Sequence, residues 1–359
     1  MESKGFIFGA SLSVPSVQEL AKELAKEPLT KVPPRYIQDS PIISSRPSSS
    51  RPQIPIIDMQ RLLSQDSVQS EVEKLHLACR DWGFFQLINH EVSCSLMEKI
   101  KEETKEFFKL PLEEKNKYRQ KPGDVEGFGQ AFVVSEDQKL DWSDLFSVVT
   151  LPYYLRKPHL LPKLSHSFRD AIEEYSKEVD ELALKTLMFI AKALKMKDEE
   201  MKVLFSNGCQ VIRMNYYPPC PQPEQVIGCT PHADASGITL LQQVDDQLEG
   251  LQIKKDGIWI PVIPHDPNAF IVNVGDVIQI VSNGEYNSVD HRAVVNAEKE
   301  RISIATFINP NLGVELGPAR SLVTPESPAK FTRIACADFL QNYMSKKLDS
   351  KSNIDQYYL

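Results

Sequence analysis

The strongest constraint on this chain is a change of texture at Cys209. Beyond it, short runs rich in β-branched and aromatic residues recur at 211–217, 237–244, 250–253, 259–263, 269–274, 277–281, 289–295 and 302–307. Such runs cannot bury an apolar face alone, so they must pair, and their close spacing points to a sandwich or barrel. Asp256-Gly257 supplies the positive φ angles that a tight hairpin turn requires. The pattern predicts an α+β fold with a mainly β core, a jelly roll braced by helices from the first half.

In that first half, Val72, Leu75, Ala78, Cys79 and Trp82 fall at helical spacing before Gly83, and 84–88 reads as a buried strand. A second helix is expected over 96–108. A longer one, marked by Phe168, Ile172, Tyr175, Val179 and Leu182, should continue to about Lys195. Upstream, Ser16-Val17-Gln18-Glu19 has the form of a capping box and predicts a short helix ending near Lys26. Over 33–55, above all in the Ser/Pro run 44–52, proline withholds donors and serine buries nothing, so a linker is expected. The expected division is 1–53 as N-terminal helix and linker, 54–205 as a mainly helical region, 206–312 as the jelly-roll core and 313–359 as a C-terminal helical segment.

Composition sets several function classes aside. Lys plus Arg number 41 against 49 Asp plus Glu, a net charge of -8, which argues against a face for nucleic acid. Six cysteines without a CxxC pair suit reduced thiols and a cytoplasmic setting. No apolar run reaches the roughly 20 residues of a membrane span, and the first residues lack the basic start of a signal peptide.

The chemistry concentrates in Thr230-Pro231-His232-Ala233-Asp234. In an extended segment residues two apart share a face, so His232 and Asp234 can converge on one ion. His291, in the strand-like run 288–292, offers a third ligand. Two histidines and one carboxylate leave the other positions of an octahedral ion open, as a non-haem Fe(II) that binds oxygen requires. The same donor set suits zinc, and a lone HxD also recurs by chance. The segment 300–307 adds weight, because strand periodicity puts Arg301, Ser303 and Phe307 on one face among apolar neighbours. A buried guanidinium needs a carboxylate, its own chain's or a ligand's, and a neighbouring hydroxyl makes a natural clamp. Arg213, Asn215 and Tyr217 align in the same way and offer an amide and a phenol. An internal ion pair and a core tyrosine would explain each segment taken alone.

Taken together, 213–223, the HxD at His232, Asn273-Val274-Gly275-Asp276, Asp290-His291-Arg292 and the RxS at Arg301 resemble the plant 2-oxoglutarate- and Fe(II)-dependent dioxygenases. Within them the chain is most similar to the senescence-related-gene-like branch that includes the poppy alkaloid O-demethylases. Segments 14–20, 81–86 and 126–130 fit the same branch. The resemblance implies a double-stranded β-helix, cupin-like, with iron held by His232, Asp234 and His291. It also implies 2-oxoglutarate chelating that iron, its distal carboxylate against Arg301 and Ser303 with Tyr217 and Asn215 assisting. The implied reaction consumes O2 and releases succinate and CO2 as a small plant specialised metabolite, an alkaloid, phenolic or flavonoid-like compound, is hydroxylated or O/N-demethylated. Ascorbate is an expected reductant and a monomer the expected state. By family position Arg213, Phe307, Leu145, Phe146 and Ser147 are substrate-pocket candidates, with Phe128 and Phe132 as aromatic walls. A non-catalytic ligand-binding protein on the same fold and a metal hydrolase are the alternatives.

Other residues read as structural. Adjacent His265 and Asp266 would face oppositely on a strand and suit a turn between prolines. His90 reads as a satisfied structural histidine, Cys220 and Cys229 as buried small hydrophobes, Gly275 as a turn between strands, and 101–106 as a solvated helix face. Against the resembling family, Glu91 stands where glycine is usual, 264–268 replaces a shorter link, and Gln279 stands where an acid is common.

Overall fold

The computed structural model describes residues 12–26, 31–40, 52–121, 123–244, 249–348 and 352–359. In chain order these form α1 (Val17–Lys26), β1 (Ile56–Asp58), α2 (Met59–Leu63), α3 (Val68–Asp81), β2 (Phe84–Ile88), α4 (Cys94–Lys109) and α5 (Leu112–Asn116). There follow β3 (Gly127–Gly129), β4 (Asp144–Leu151), α6 (His166–Ala193), α7 (Asp198–Phe205), β5 (Cys209–Tyr217), β6 (Cys229–His232) and β7 (Ile238–Gln243). The last set is β8 (Leu251–Lys255), β9 (Ile258–Pro261), β10 (Phe270–Val274), α8 (Asp276–Val281), β11 (His291–Ala293), β12 (Arg301–Asn309) and α9 (Cys336–Met344).

An eight-stranded sheet of order β1-β2-β10-β7-β12-β5-β4-β3 faces a four-stranded sheet, β6-β11-β8-β9. Strand periodicity explains what each face of the large sheet does. In β5, Ile212, Met214 and Tyr216 join the main core, as do Ile302, Ile304 and Ile308 of β12 and Phe146 and Val148 of β4. That core is closed by α4 and α6, whose apolar stripes include Ile100, Phe107, Phe168, Ile172 and Val179. The alternate residues of the same strands face inward, toward the smaller sheet. Among the described residues no helix is long and apolar enough to cross a membrane.

Several expectations are corrected. Residues 277–281 lie in α8, a helix buried on every side, so its short run, apolar but for Gln279, carries no period that separates helix from strand. The first half supplies β1, β2, β3 and β4, half of the large sheet, so the region 54–205 is less purely helical than its periodicity suggests. The capping box is only half made. Ser16 Oγ accepts weakly from Glu19 N–H at 3.4 Å, but Glu19 turns to Lys22. Asp144 instead accepts from Val17 N–H and Gln18 N–H, both at 2.9 Å, and from the Ser16 hydroxyl at 2.6 Å, so a distant carboxylate holds the start of α1 against the sheet. Most of the Ser/Pro run lies outside the described residues. Upstream of it Val32 and Tyr36 are buried, with Tyr36 edge-on to Trp142 at 5.2 Å, so that part of the expected linker is packed. Lys101 and Thr104 are buried on a helix face expected to be solvated, Lys101 reaching out to Glu98.

Of the remaining structural readings, His90, the 265–266 turn and Cys220 have direct counterparts, whereas Cys229 is only partly buried and Gly275 joins β10 to α8 and not strand to strand. His90 Nε2 lies 2.7 Å from the Asn268 carbonyl. Asp266 accepts from Asn268 N–H at 2.7 Å, closing a turn. Cys220 is fully buried, whereas Cys229 is only half-buried, 3.8 Å from His232 Nδ1. Gly275 has ordinary φ -99, and its requirement is close approach: a Cβ there would meet the Ser236 carbonyl at 2.0 Å and the Asp234 carbonyl at 2.9 Å.

Candidate metal and cosubstrate site

β6 ends at His232 and β11 begins at His291, and the two strands pair antiparallel with these residues opposite one another. Directly paired residues bring their side chains together, and the imidazole centroids are 4.3 Å apart. Asp234 follows just beyond the strand. Its Oδ1 lies 3.5 Å from His232 Nε2 and 3.7 Å from His291 Nε2. Ligand atoms from the three buried residues lie within 4.8 Å of one another.

Neighbouring groups aim each of the three. His232 Nδ1 lies 2.7 Å from the Thr230 carbonyl and His291 Nδ1 3.2 Å from the Val289 carbonyl. A carbonyl only accepts, so each Nδ1 carries the hydrogen and each Nε2 presents its lone pair to the site. Thr230 is itself fixed, its N–H and hydroxyl donating to Asp141 at 3.1 and 2.6 Å. Asp234 Oδ2 accepts from the Thr239 hydroxyl at 2.7 Å and Asn273 Nδ2 at 2.8 Å, which leaves Oδ1 facing the imidazoles. His232 Nε2 is buried without a hydrogen-bond partner among the described residues. An orphaned lone pair between a second imidazole and a carboxylate fits a divalent cation.

The electrostatics fit as well. Burial would raise the Asp234 carboxyl, yet His291, His232 and the Thr239 bond hold it well below the usual carboxylate range. Burial, then His232, pushes His291 down to about 4. For His232 burial acts downward too, but Cys229 and Asp234 hold it above its ordinary value. Its proton would occupy Nε2, so proton and cation compete for one lone pair.

The carboxylate clamp is built on facing strands. β12 pairs with β5 so that Arg301 faces Tyr217, Ser303 faces Asn215, Ala305 faces Arg213 and Phe307 faces Val211. Arg301 is buried, donating from Nε and Nη2 to Gln243 Oε1 at 3.3 and 2.9 Å, with its guanidinium 5.2 Å from the Tyr217 ring centroid. Gly250 makes room for it, since a Cβ there would meet Arg301 Nε at 2.2 Å. Asn215 Nδ2 donates to Ser303 Oγ at 3.3 Å. Burial pushes the Tyr217 phenol up to about 12, keeping it a neutral donor. His232, Asp234, His291, Arg301, Ser303, Asn215 and Tyr217 all wall one cavity between the sheets.

A second cavity, sharing His232 and Asp234, runs along the inward faces of β4, β5 and β12. Ser147, Arg213, Phe307 and Phe132 line it, while Leu145 lines an adjoining cleft with Asn215 and Tyr217. Arg213 stands opposite Ser147 and Ala305, whose small side chains leave it room. Its guanidinium lies 4.8 Å over the Phe307 ring and its Nε is buried without a hydrogen-bond partner among the described residues. Phe146 and Phe128 are corrections to the expected pocket. Phe146 is adjacent in β4 to Leu145 and Ser147 and so points to the other face, stacking on Phe107 at 4.5 Å. Phe128 is fully buried in the main core.

The comparisons agree with this geometry. Residues 54–164 match the family model described as non-haem dioxygenase in morphine synthesis N-terminal, and residues 208–310 match that of the 2OG-Fe(II) oxygenase superfamily. The chain is 55% identical to oxoglutarate-dependent flavonoid 7-O-demethylase 1 of Ocimum basilicum, over 99% of this chain and 93% of that relative. It is 50% identical to codeine O-demethylase of Papaver somniferum, over 97% and 96%. The chain belongs to the 2OG-Fe(II) oxygenase superfamily. Its fold matches a crystal structure of JOX2 in complex with 2OG, Fe and JA with a TM-score of 0.85, at 35% identity over 98% of this chain and 99% of that one. It is therefore an Fe(II)- and 2-oxoglutarate-dependent oxygenase, in preference to a non-catalytic binding protein or a hydrolase.

The oxygenase site also contains residues that sequence reasoning missed. Thr239 aims Asp234, Asp141 anchors Thr230, and Gln243 accepts from Arg301. Leu340, Tyr343 and Met344 of α9 close the second cavity, and the Tyr343 hydroxyl donates to the Ala233 carbonyl at 2.9 Å. Of the two side chains that donate to Asp234, Asn273 stands in one of the segments that carry the family resemblance and Thr239 does not. A hydroxyl among the apolar residues that open β7, Ile238, Leu240 and Leu241, is the signal that points to Thr239.

Proposed function

We propose that His232 Nε2, His291 Nε2 and Asp234 Oδ1 hold the iron, and that the reaction is O-demethylation of a methoxylated aromatic metabolite of plant specialised metabolism. The observation that carries the reading is the placement of the second cavity, which has aromatic and aliphatic walls and shares His232 and Asp234 with the first. An O-methyl group lying there would stand beside His232 and Asp234, two of the residues that would hold the iron. The O-demethylase names of the similar basil and poppy proteins support the choice over hydroxylation or N-demethylation.

Bound iron and 2-oxoglutarate together supply, with O2, one oxygen atom to a C–H bond; on an O-methyl group the resulting hemiacetal collapses to a phenol and formaldehyde. The chain positions and shields. In this reading Arg301 and Ser303 bind the distal carboxylate of the cosubstrate, with Tyr217 and Asn215 bordering it. Burial strengthens that charged contact and keeps water from the reacting carbon. Phe307, Phe132 and Val211 present the surfaces on which a flat ring can lie. Arg213, held over Phe307 with its buried Nε–H unpartnered among the described residues, would donate to an acceptor on the substrate. Free thiols at all six cysteines support action in the cytoplasm, and size-exclusion chromatography checks the expected monomer.

The test incubates Fe(II)-loaded protein with 2-oxoglutarate, ascorbate and a panel of methoxylated flavones and alkaloids, scoring succinate and formaldehyde together. Equal yields of the two on one substrate are expected, lost in His232→Ala and Asp234→Ala. Succinate that tracks a substrate without formaldehyde overturns demethylation. Full turnover in either variant overturns the metal assignment.

A further inference from the structure

Seven non-glycine residues among those described have positive φ: Asn89, Glu91, Phe132, Lys195, Asn207, Asp256 and Asn283. Six are polar, and most of them are residue types that turns and helix ends accommodate. Phe132, at φ 62, is the exception, because a bulky side chain gains nothing local in return for the left-handed conformation. Such outliers persist only where the surroundings over-determine them, and they gather at ligand clamps.

The surroundings here do so. The Gln138 side chain closes a ring on the segment, its Nε2 donating to the Phe132 carbonyl at 2.8 Å and its Oε1 accepting from Val134 N–H at 3.0 Å. Arg35 ties the same segment down through the Ser135 carbonyl at 3.0 Å and the Gln138 carbonyl at 3.2 Å, and Leu12 N–H donates to the Val133 carbonyl at 2.6 Å. The strained backbone puts the Phe132 ring edge-on to Tyr343, centroids 5.8 Å apart, and Tyr343 in turn holds the Ala233 carbonyl between the two ligands His232 and Asp234. Phe132 and Tyr343 therefore join a loop and the C-terminal helix across the second cavity, whose wall both share.

We propose that Phe132 is a specificity-determining residue of the oxygenase, its ring held over the substrate cavity as one half of an aromatic clasp, and that Gln138 is the positioning residue that keeps it there. The inference rests on the substrate reading above for its ligand, and on the backbone alone for its strain. A flat ring entering the cavity is gripped by the clasp at its edge. Removing the ring weakens substrate binding without touching the cosubstrate site.

Three variants test this, with 7-methoxyflavone as probe. Phe132→Ala keeps the strain and deletes the ring, Phe132→Gly deletes both, and Gln138→Ala keeps the ring and releases its hold. Phe132→Gly should melt about 2 °C above Phe132→Ala, the reverse of the usual cost of glycine, and the opposite order overturns the strain. Both should raise KM for the flavone about tenfold while KM for 2-oxoglutarate stays within twofold. A purely structural role would instead lower kcat with the active fraction, and an unchanged flavone KM overturns the clasp. Gln138→Ala should raise the flavone KM with the ring intact, and should lower the melting temperature less in the Phe132→Gly background than in the parent; equal losses overturn its positioning role. If the parent does not turn over the flavone, the substrate reading fails for that probe while the melting order still decides the strain.

Discussion

Replacing Asn273 with Ala, and separately Thr239 with Val, tests whether Asp234 is aimed at the cation by its neighbours. Asp234 Oδ2 accepts from both, at 2.7 Å from Thr239 and 2.8 Å from Asn273, and all three residues are buried, so no solvent replaces a lost donor. A hydrogen bond to an ionised group contributes about 1.5–3 kcal/mol. Losing one of the two donors lets the carboxylate turn and spread its charge over both oxygens. If most of that energy had served to orient Oδ1, metal binding weakens by about tenfold to a hundredfold. Calorimetric titration with Mn(II), a redox-inert stand-in, reads the dissociation constant, and melting of the apoprotein reads the fold separately. The double variant should lose less than the sum of the two, because the second deletion finds the carboxylate already released. Binding within twofold of the parent in both single variants, while Asp234→Ala abolishes it, would refute the reasoning.

Glu91 has φ 67, which explains why glycine suits that position, and Glu91→Gly should be about 1 kcal/mol more stable than Glu91→Ala in denaturant unfolding. Both variants lose the same contact to Lys185, so that surface pair cancels. Phe146→Ala should cost about 3–5 kcal/mol by melting, since the ring is buried on Phe107. Ser147→Leu, one residue on but facing the cavity, should mainly raise KM for the organic substrate. Burial, with Glu181 beside it, pushes Asp180 up to about 6 from 3.8. The folded state holds that proton more tightly than the unfolded chain, so this contribution to stability is full below about pH 4 and is lost as pH rises through about 6. Asp180→Asn should therefore gain about 1 kcal/mol on the parent at neutral pH, the group's partial exposure being allowed for, and the gain should vanish at the acid end of a pH series of urea melts.

What could be read beforehand follows the reach of each physical signal. His232 and Asp234 were legible because a period of two is local, and Arg301 with Ser303 for the same reason. His291 needed one further step, the guess that its strand-like run lay beside β6. Thr239 and Asn273 needed the order of strands in the large sheet, β10 beside β7, which no local pattern carries. Tyr343 needed α9 to return across the sheet from the far end of the chain. The strand β4 was missed because Asp144 through Thr150 are all buried, leaving no alternation to count, and α8 was misread for the same lack of period.

The same period explains why this fold puts the helix-facing core and the cavity walls on separate residues. Along β5, Ile212, Met214 and Tyr216 hold the helices on the sheet, while Val211, Arg213, Asn215 and Tyr217 face the cavities. β12 divides likewise between Ile302, Ile304, Ile308 and Arg301, Ser303, Phe307. An inward residue can therefore change without opening the helix-facing core, provided its volume suits the cavity. The triad has no such freedom, because each ligand is oriented by a neighbour, His232 and His291 by the Thr230 and Val289 carbonyls and Asp234 by the buried Thr239 and Asn273. If the second cavity takes the substrate, as proposed, the positions free to vary include Ser147, Val211, Arg213 and Phe307 on the strands, with the Phe132 loop and α9 reaching the same cavity from outside the sheet.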